Sequence, residues 1–96
     1  VNTHEVRDNR ALHRYEIETD GMYSLIAYRM HGDAIELYHT EVPEALEGHG
    51  LASKLAHAAL EDAQSRGIKV IPTCPFVASY IRHHPEYNDL VLVSAM

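Results

Sequence analysis

The sequence predicts a single α/β domain built on a mixed sheet: an antiparallel meander, one parallel crossover and two main helices. Three observations predict it. Residues 12–42 hold three strand-like stretches separated by two-residue turns. Residues 52–63 change to a helical period. A short apolar strand follows that helix, so strand, helix and strand form a βαβ crossover with its two strands parallel.

Each element has its own signal. Residues 1–10, VNTHEVRDNR, are polar and without period, and are expected to be a loose lead-in. LHRYEIE (12–18) alternates, with Tyr15 and Ile17 on one face and Arg14, Glu16 and Glu18 on the other. Asp20-Gly21 is a hairpin signal. MYSLIAYRM (22–30) is the second strand, Gly32-Asp33 turns the chain, and AIELYHTEV (34–42) is the third. There, Ile35, Leu37 and His39 are expected to face one way, and Tyr38, Thr40 and Val42 the other. Pro43 ends that strand. Ala52, Leu55, Ala56, Ala59, Leu60 and Ala63 then form one helix face, and Gly67 stands where a C-terminal glycine belongs. IKVIPTC (68–74) reads as the parallel strand. Pro72 offers no N–H, so the sheet is expected to open beside it. PFVASYIRHH (75–84) reads as a second helix with Pro75 in its first turn, stopped by Pro85; LVLVSA (90–95) reads as a last strand.

Composition bounds the function. Ninety-six residues suit one domain, 1–96, and 46% apolar content fills a modest core. Fourteen acidic against eight basic residues give a charge of −6, without the clustered cations that nucleic-acid binding needs. No apolar run is long enough to span a membrane. The single cysteine, Cys74, has no partner for an internal disulfide and suits a reducing, cytoplasmic setting. The eight histidines form no HExxH and there is no C-x-x-C, so no metal site is expected. His57 and Glu61 make an ordinary i,i+4 surface pair, while His83 and His84 are adjacent and diverge on a helix.

The stretch VPEALEGHGLASKL (42–55) places Gly48 and Gly50 just before a helix. It is not a GxxxxGK[ST] phosphate loop. It is not GxGxxG either, because the third position is Ser53. Two readings remain. The glycines serve a turn that needs φ > 0, or they let an anion reach the unpaired N–H groups of a helix start, with Ser53 and Lys54 adding a hydroxyl and a cation.

In its setting the segment resembles the GNAT acetyltransferase superfamily, whose main helix opens with [QR]xxGxG/A. Here Ala45-Leu46-Glu47-Gly48-His49-Gly50 keeps the GxG but has Ala45 at the Gln/Arg position. With KVIPTCPFVASYIRHHPEY (69–87), the chain is similar to a small, minimal GNAT branch of about one hundred residues that carries VPxxxxGxGxxxxL, a C-P-[FY] segment and HPEY. The resemblance runs from Tyr15 to Leu92. Glu47 stands where that branch commonly has Arg.

The resemblance implies acetyl transfer from acetyl-coenzyme A to an amine. The backbone of Gly48, His49, Gly50, Leu51, Ala52 and Ser53 would hold pyrophosphate, flanked by Glu47 and Lys54. The strand end at Thr40, Glu41 and Val42 would pair with pantetheine amides. Cys74 and Pro75 would border the thioester, and Arg82 would either reach a phosphate or simply be solvated. Cys74, at the carboxyl end of its strand, is a candidate nucleophile or a buried small hydrophobe. His39 is a candidate base or partner of Cys74. Tyr80 matches the family tyrosine that protonates the leaving thiolate, or else packs its ring into the core. The family's N-terminal helices are missing, since the chain turns directly through Asp20-Gly21, so the acceptor side is open or completed by a partner. The acidic balance suits a cationic acceptor such as a polyamine or a lysine-rich protein. Two rivals remain: a non-catalytic module that binds coenzyme A or acyl-CoA, and an interaction domain that binds no nucleotide. Both a monomer and a weak homodimer fit the sequence.

Overall fold

The structure, a computed structural model, describes residues 5–92. Five strands lie in sequence order: β1 (Arg7–Asn9), β2 (Arg14–Thr19), β3 (Met22–His31), β4 (Ala34–Glu41) and β5 (Lys69–Ile71). The first four are antiparallel and β5 runs parallel to β4. Helix α1 (Leu51–Arg66) makes the crossover, and α2 (Pro75–Arg82) follows β5. Short 3₁₀ turns occupy Glu44–Leu46 and Pro85–Leu90.

The Asp20-Gly21 hairpin works because both residues take positive φ, 52° and 81°, the twist that matches flanking strands. Helix α1 buries Leu51, Leu55, Ala56, Ala59, Leu60 and Ala63 against Ile17, Ile26, Ile35, Leu37 and Val70 of the sheet. Its first buried residue is Leu51, with Ala52 only half-buried. The helix ends where Gly67, at φ 68°, donates to the Ala63 and Gln64 carbonyls. Val77 and Ile81 of α2 join the same core.

Three expectations are corrected. Residues 7–9, expected within a loose lead-in, form β1 instead. The reason is Glu16, which is only 2% exposed on the polar side of β2 and accepts from Arg7, Asn9 and Arg14. A buried carboxylate needs such donors, and they hold the edge strand in place. The parallel strand is short: β5 stops at Ile71, where Pro72 ends the ladder. Pro85–Leu90, part of which was read as strand, is a 3₁₀ turn that ends in an isolated parallel bridge between Val70 and Val91. Leu92 is not in a strand, though its N–H donates to the Val70 carbonyl at 2.9 Å, and residues 93–95 of that expected strand lie outside the described residues.

Candidate functional site

The site is set by a bulge that carries no glycine or proline. Ala27 pairs with His39 but Tyr28 pairs with Leu37, so Tyr38 is an extra residue in β4. The alternation of the strand inverts there. Leu37 is buried and Thr40 and Val42 turn inward, while His39 and Glu41 point out. The expected shared face of Leu37 and His39 is therefore corrected. His39 is 57% exposed, with Nε2 3.7 Å from Glu41 Oε2. Tyr38 lies under the Arg29 guanidinium, 4.0 Å from its ring centre.

Beyond the bulge, β4 and β5 part. Their parallel pairing runs only from Ala34–Lys69 to Glu36–Ile71. Past it, the Leu37 carbonyl accepts from the Cys74 N–H at 3.0 Å, and the Thr73 hydroxyl donates to Glu36 Oε2 at 2.7 Å. Among the described residues, the β5-facing edge of β4 has no further backbone partner from His39 to Glu41. Cys74 sits at the start of α2, 4% exposed, and its Sγ lies 3.2 Å from Thr40 Oγ1. Thr40, placed inward by the bulge, thus takes the position expected of His39.

Next to this opening lies a cavity of about 340 Å³, lined by Val42, Leu46, Glu47, Gly48, Gly50, Leu51, Ala52, Ser53 and Phe76. Gly48 and Gly50 have φ 88° and 73°, so a turn does require glycine at both. A Cβ built on either would meet nothing within 4 Å. Gly50 opens α1 without a side-chain cap, and no acidic residue stands in the first turn. The first N–H groups of α1 are therefore directed out of the helix without a partner, at its positive end.

Of the sequence-predicted cofactor residues, the structure gathers Val42, Glu47, Gly48, Gly50, Leu51, Ala52 and Ser53 in this cavity, with Thr40 and Cys74 at the adjoining strand opening. His49 and Lys54 are exposed at its rim, between and just after the lining residues. Pro75 is the first residue of α2, and Arg82 is exposed at the opposite end of that helix, two turns away. Tyr80 is turned to an aromatic stack and not to Cys74. Its ring stacks on His84 at 3.9 Å and faces Phe76 and Tyr87 at 6.4 Å. Burial, then the charges of Glu86 and Glu61, hold its hydroxyl above the usual tyrosine range. Sequence reasoning missed Leu46 and Phe76 as lining residues. An apolar residue two positions before Gly48 and a Phe straight after the C-P pair are the signals that could have found them.

Tyr87 closes the fold. It is 2% exposed and donates to Glu61 Oε2 at 2.6 Å, with His57 Nδ1 at 3.1 Å. Its single proton goes to the carboxylate, so His57 donates to the Tyr87 oxygen. Among the described residues, no group of three His, Cys, Asp or Glu side chains is arranged to hold a metal, and no helix is long and apolar enough to cross a membrane.

A mixed sheet parted behind a crossover, beside a helix opened by glycines, is the architecture of a small GNAT-like protein. The profile of the family described as GCN5-related N-acetyl-transferase matches residues 14–90, and the chain belongs to that family. It is 31% identical to Protein NATD1 of Gallus gallus over 84% of this chain and 76% of that one. It is 28% identical to Protein NATD1 of Danio rerio over 91% and 84%. An NMR solution structure of a GCN5-like protein from Staphylococcus aureus superposes with a TM-score of 0.75 at 26% identity, covering 99% of this chain and 94% of that one.

Proposed function

We propose that the chain transfers an acetyl group from acetyl-coenzyme A to an amine. The observation that carries this reading is that the unpaired end of β4 leads through Val42 into the cavity at the uncapped start of α1.

The residues present fit the cofactor. The first N–H groups of α1 suit a pyrophosphate, and the glycines before them leave open space for it. The free edge of β4 from His39 to Glu41 suits the amides of pantetheine, bound as an added strand. Val42, Leu46, Leu51 and Phe76 supply the apolar wall. Glu47 is the one unfavourable charge on that wall. When bound, acetyl-coenzyme A supplies a thioester carbonyl open to attack.

This chain's own contribution is positioning and one proton transfer. The bulge places Thr40 on the Cys74 side and His39, beside Glu41, on the polar side of the sheet. An amine arriving from that side gives up its proton to His39 Nε2. Cys74 is nearly fully buried, and its polar neighbour is a hydroxyl rather than an imidazole. That favours direct transfer in a ternary complex over an acyl-cysteine. Binding of coenzyme A without transfer is a second reading, favoured by the engagement of Tyr80 in its aromatic stack. Incubation with acetyl-coenzyme A and a panel of primary amines, including spermidine and a lysine peptide, separates the two. Acetylated amine with matching release of free thiol supports transfer. Saturable binding with no product on any amine supports the second reading.

A further inference from the structure

At the other end of α1, a separate cavity of about 190 Å³ is lined by Arg10, His13, Tyr28, Met30 and Arg66. It is large enough for several waters at about 30 Å³ each, or for one compact ion. Every ionic group on its wall is a guanidinium or an imidazole, in a chain whose charge is −6.

The nearby carboxylates are already engaged. Asp8 accepts from the Tyr28 hydroxyl at 2.6 Å and from Arg10 Nε at 3.2 Å. Asp62 accepts from the Tyr15 hydroxyl at 2.6 Å and from Arg66 at 3.2 Å. Among the described residues, those are the only side-chain hydrogen bonds of the two guanidiniums, so each keeps N–H groups without a protein acceptor. At the end of α1 the Gly67 and Ile68 N–H groups cap the Ala63 and Gln64 carbonyls, so an anion meets fewer bare carbonyls there. His13 holds φ 54°, a left-handed conformation that costs a non-glycine residue energy, while its carbonyl accepts from the Tyr28 N–H at 2.9 Å. That conformation sets the imidazole 5.9 Å from the Tyr28 ring, on the cavity wall.

We propose that the cavity between Arg10, His13 and Arg66 is a binding site for a phosphate group, distinct from the α1 N-terminal cavity. Donors from three side chains around one small space suit a tetrahedral oxyanion better than a planar carboxylate, which two donors satisfy.

The test is an amide-resolved NMR titration of the full chain with inorganic phosphate, and with acetate at equal ionic strength. One-to-one saturation at residues 10, 13 and 66 by phosphate, with no saturation by acetate, is the expected result. Arg10→Gln should weaken that saturation at least tenfold. Arg10 is largely exposed, so this variant stays folded, and Arg66→Gln provides an independent second variant. Glycerol phosphate run in parallel separates a free ion from an esterified one, and saturation by either supports the site. Shifts that never saturate, that acetate reproduces, that survive both substitutions, or that saturate only at residues 48–53 would overturn it.

Discussion

Thr40 Oγ1 and Cys74 Sγ lie 3.2 Å apart, at the point where β4 and β5 separate. One extra residue, Tyr38, creates this pair by turning Thr40 inward and His39 out. The division has a consequence for chemistry: the thiol and the imidazole stand on different sides of the sheet.

Cys74→Ala should therefore keep turnover within a few-fold of the parent while losing about 1 kcal/mol of stability for the buried group removed. Intact-protein mass spectrometry during turnover should show no acyl adduct on the parent chain. An adduct, or loss of all turnover in a folded variant, would mean that the thiol is the nucleophile.

His39→Gln should lower kcat/KM about a hundredfold. The stability should be unaltered because the side chain is exposed. An unchanged kcat/KM assigns the proton transfer elsewhere.

Glu47 lines the cavity proposed for pyrophosphate. Glu47→Gln should tighten coenzyme A binding by about 1 kcal/mol or less, the scale of an exposed charge pair, and the gain should shrink in high salt. Calorimetric titration of parent and variant at two salt concentrations checks both statements.

Glu16 sets the acid limit of the fold. Burial pushes its carboxyl up, but the hydrogen bonds from Arg7, Arg14 and Asn9 outweigh it and hold the group below the usual range. Unfolded, it titrates near its ordinary value of about 4.3, so its contribution is complete above that pH and is lost as pH falls through the lower folded value. Glu16→Gln should cost about 1–3 kcal/mol at neutral pH and flatten the acid branch of the urea-unfolding midpoint. At the alkaline end, burial and the Asp8 hydrogen bond push Tyr28 up to about 12 from 10.0. Tyr28's share of the stability should begin to fall once the unfolded tyrosine ionises near pH 10, and go on falling until it ionises in the folded state; Tyr15 and Tyr87, pushed up further by burial and their carboxylate partners, extend the loss.

Ser24 is fully buried, and its hydroxyl has no hydrogen-bond partner. Ser24→Ala removes that unsatisfied group and should raise stability by up to about 1 kcal/mol, seen as a higher unfolding midpoint.

The strands, turns and helix faces were legible because period and turn chemistry act locally. Asp20-Gly21, Gly67 and Pro75 each do what their backbone preferences dictate. Pro72 likewise marked where the sheet parts. The bulge at Tyr38 was not legible. Its cause is tertiary, lying in the pairing of β4 with β3, and it inverted every side chain after it. Glu16 is a similar case, since alternation places it on the polar side but only the fold shows the three donors that bury it. Tyr80 could be placed on its helix from sequence, but its direction depended on stacking with His84, a residue beyond the end of α2. The glycine pair supported two readings, and both hold locally: Gly48 and Gly50 satisfy a left-handed turn and also border the open start of α1.

The central claim is that this cavity and the free end of β4 hold coenzyme A. An amide-resolved NMR titration with acetyl-coenzyme A tests it most directly. The account predicts saturable one-to-one shifts at Gly48 to Ser53, at Thr40 to Val42 and at Phe76. Saturation elsewhere with these amides unmoved, or no saturation at millimolar cofactor, would contradict it.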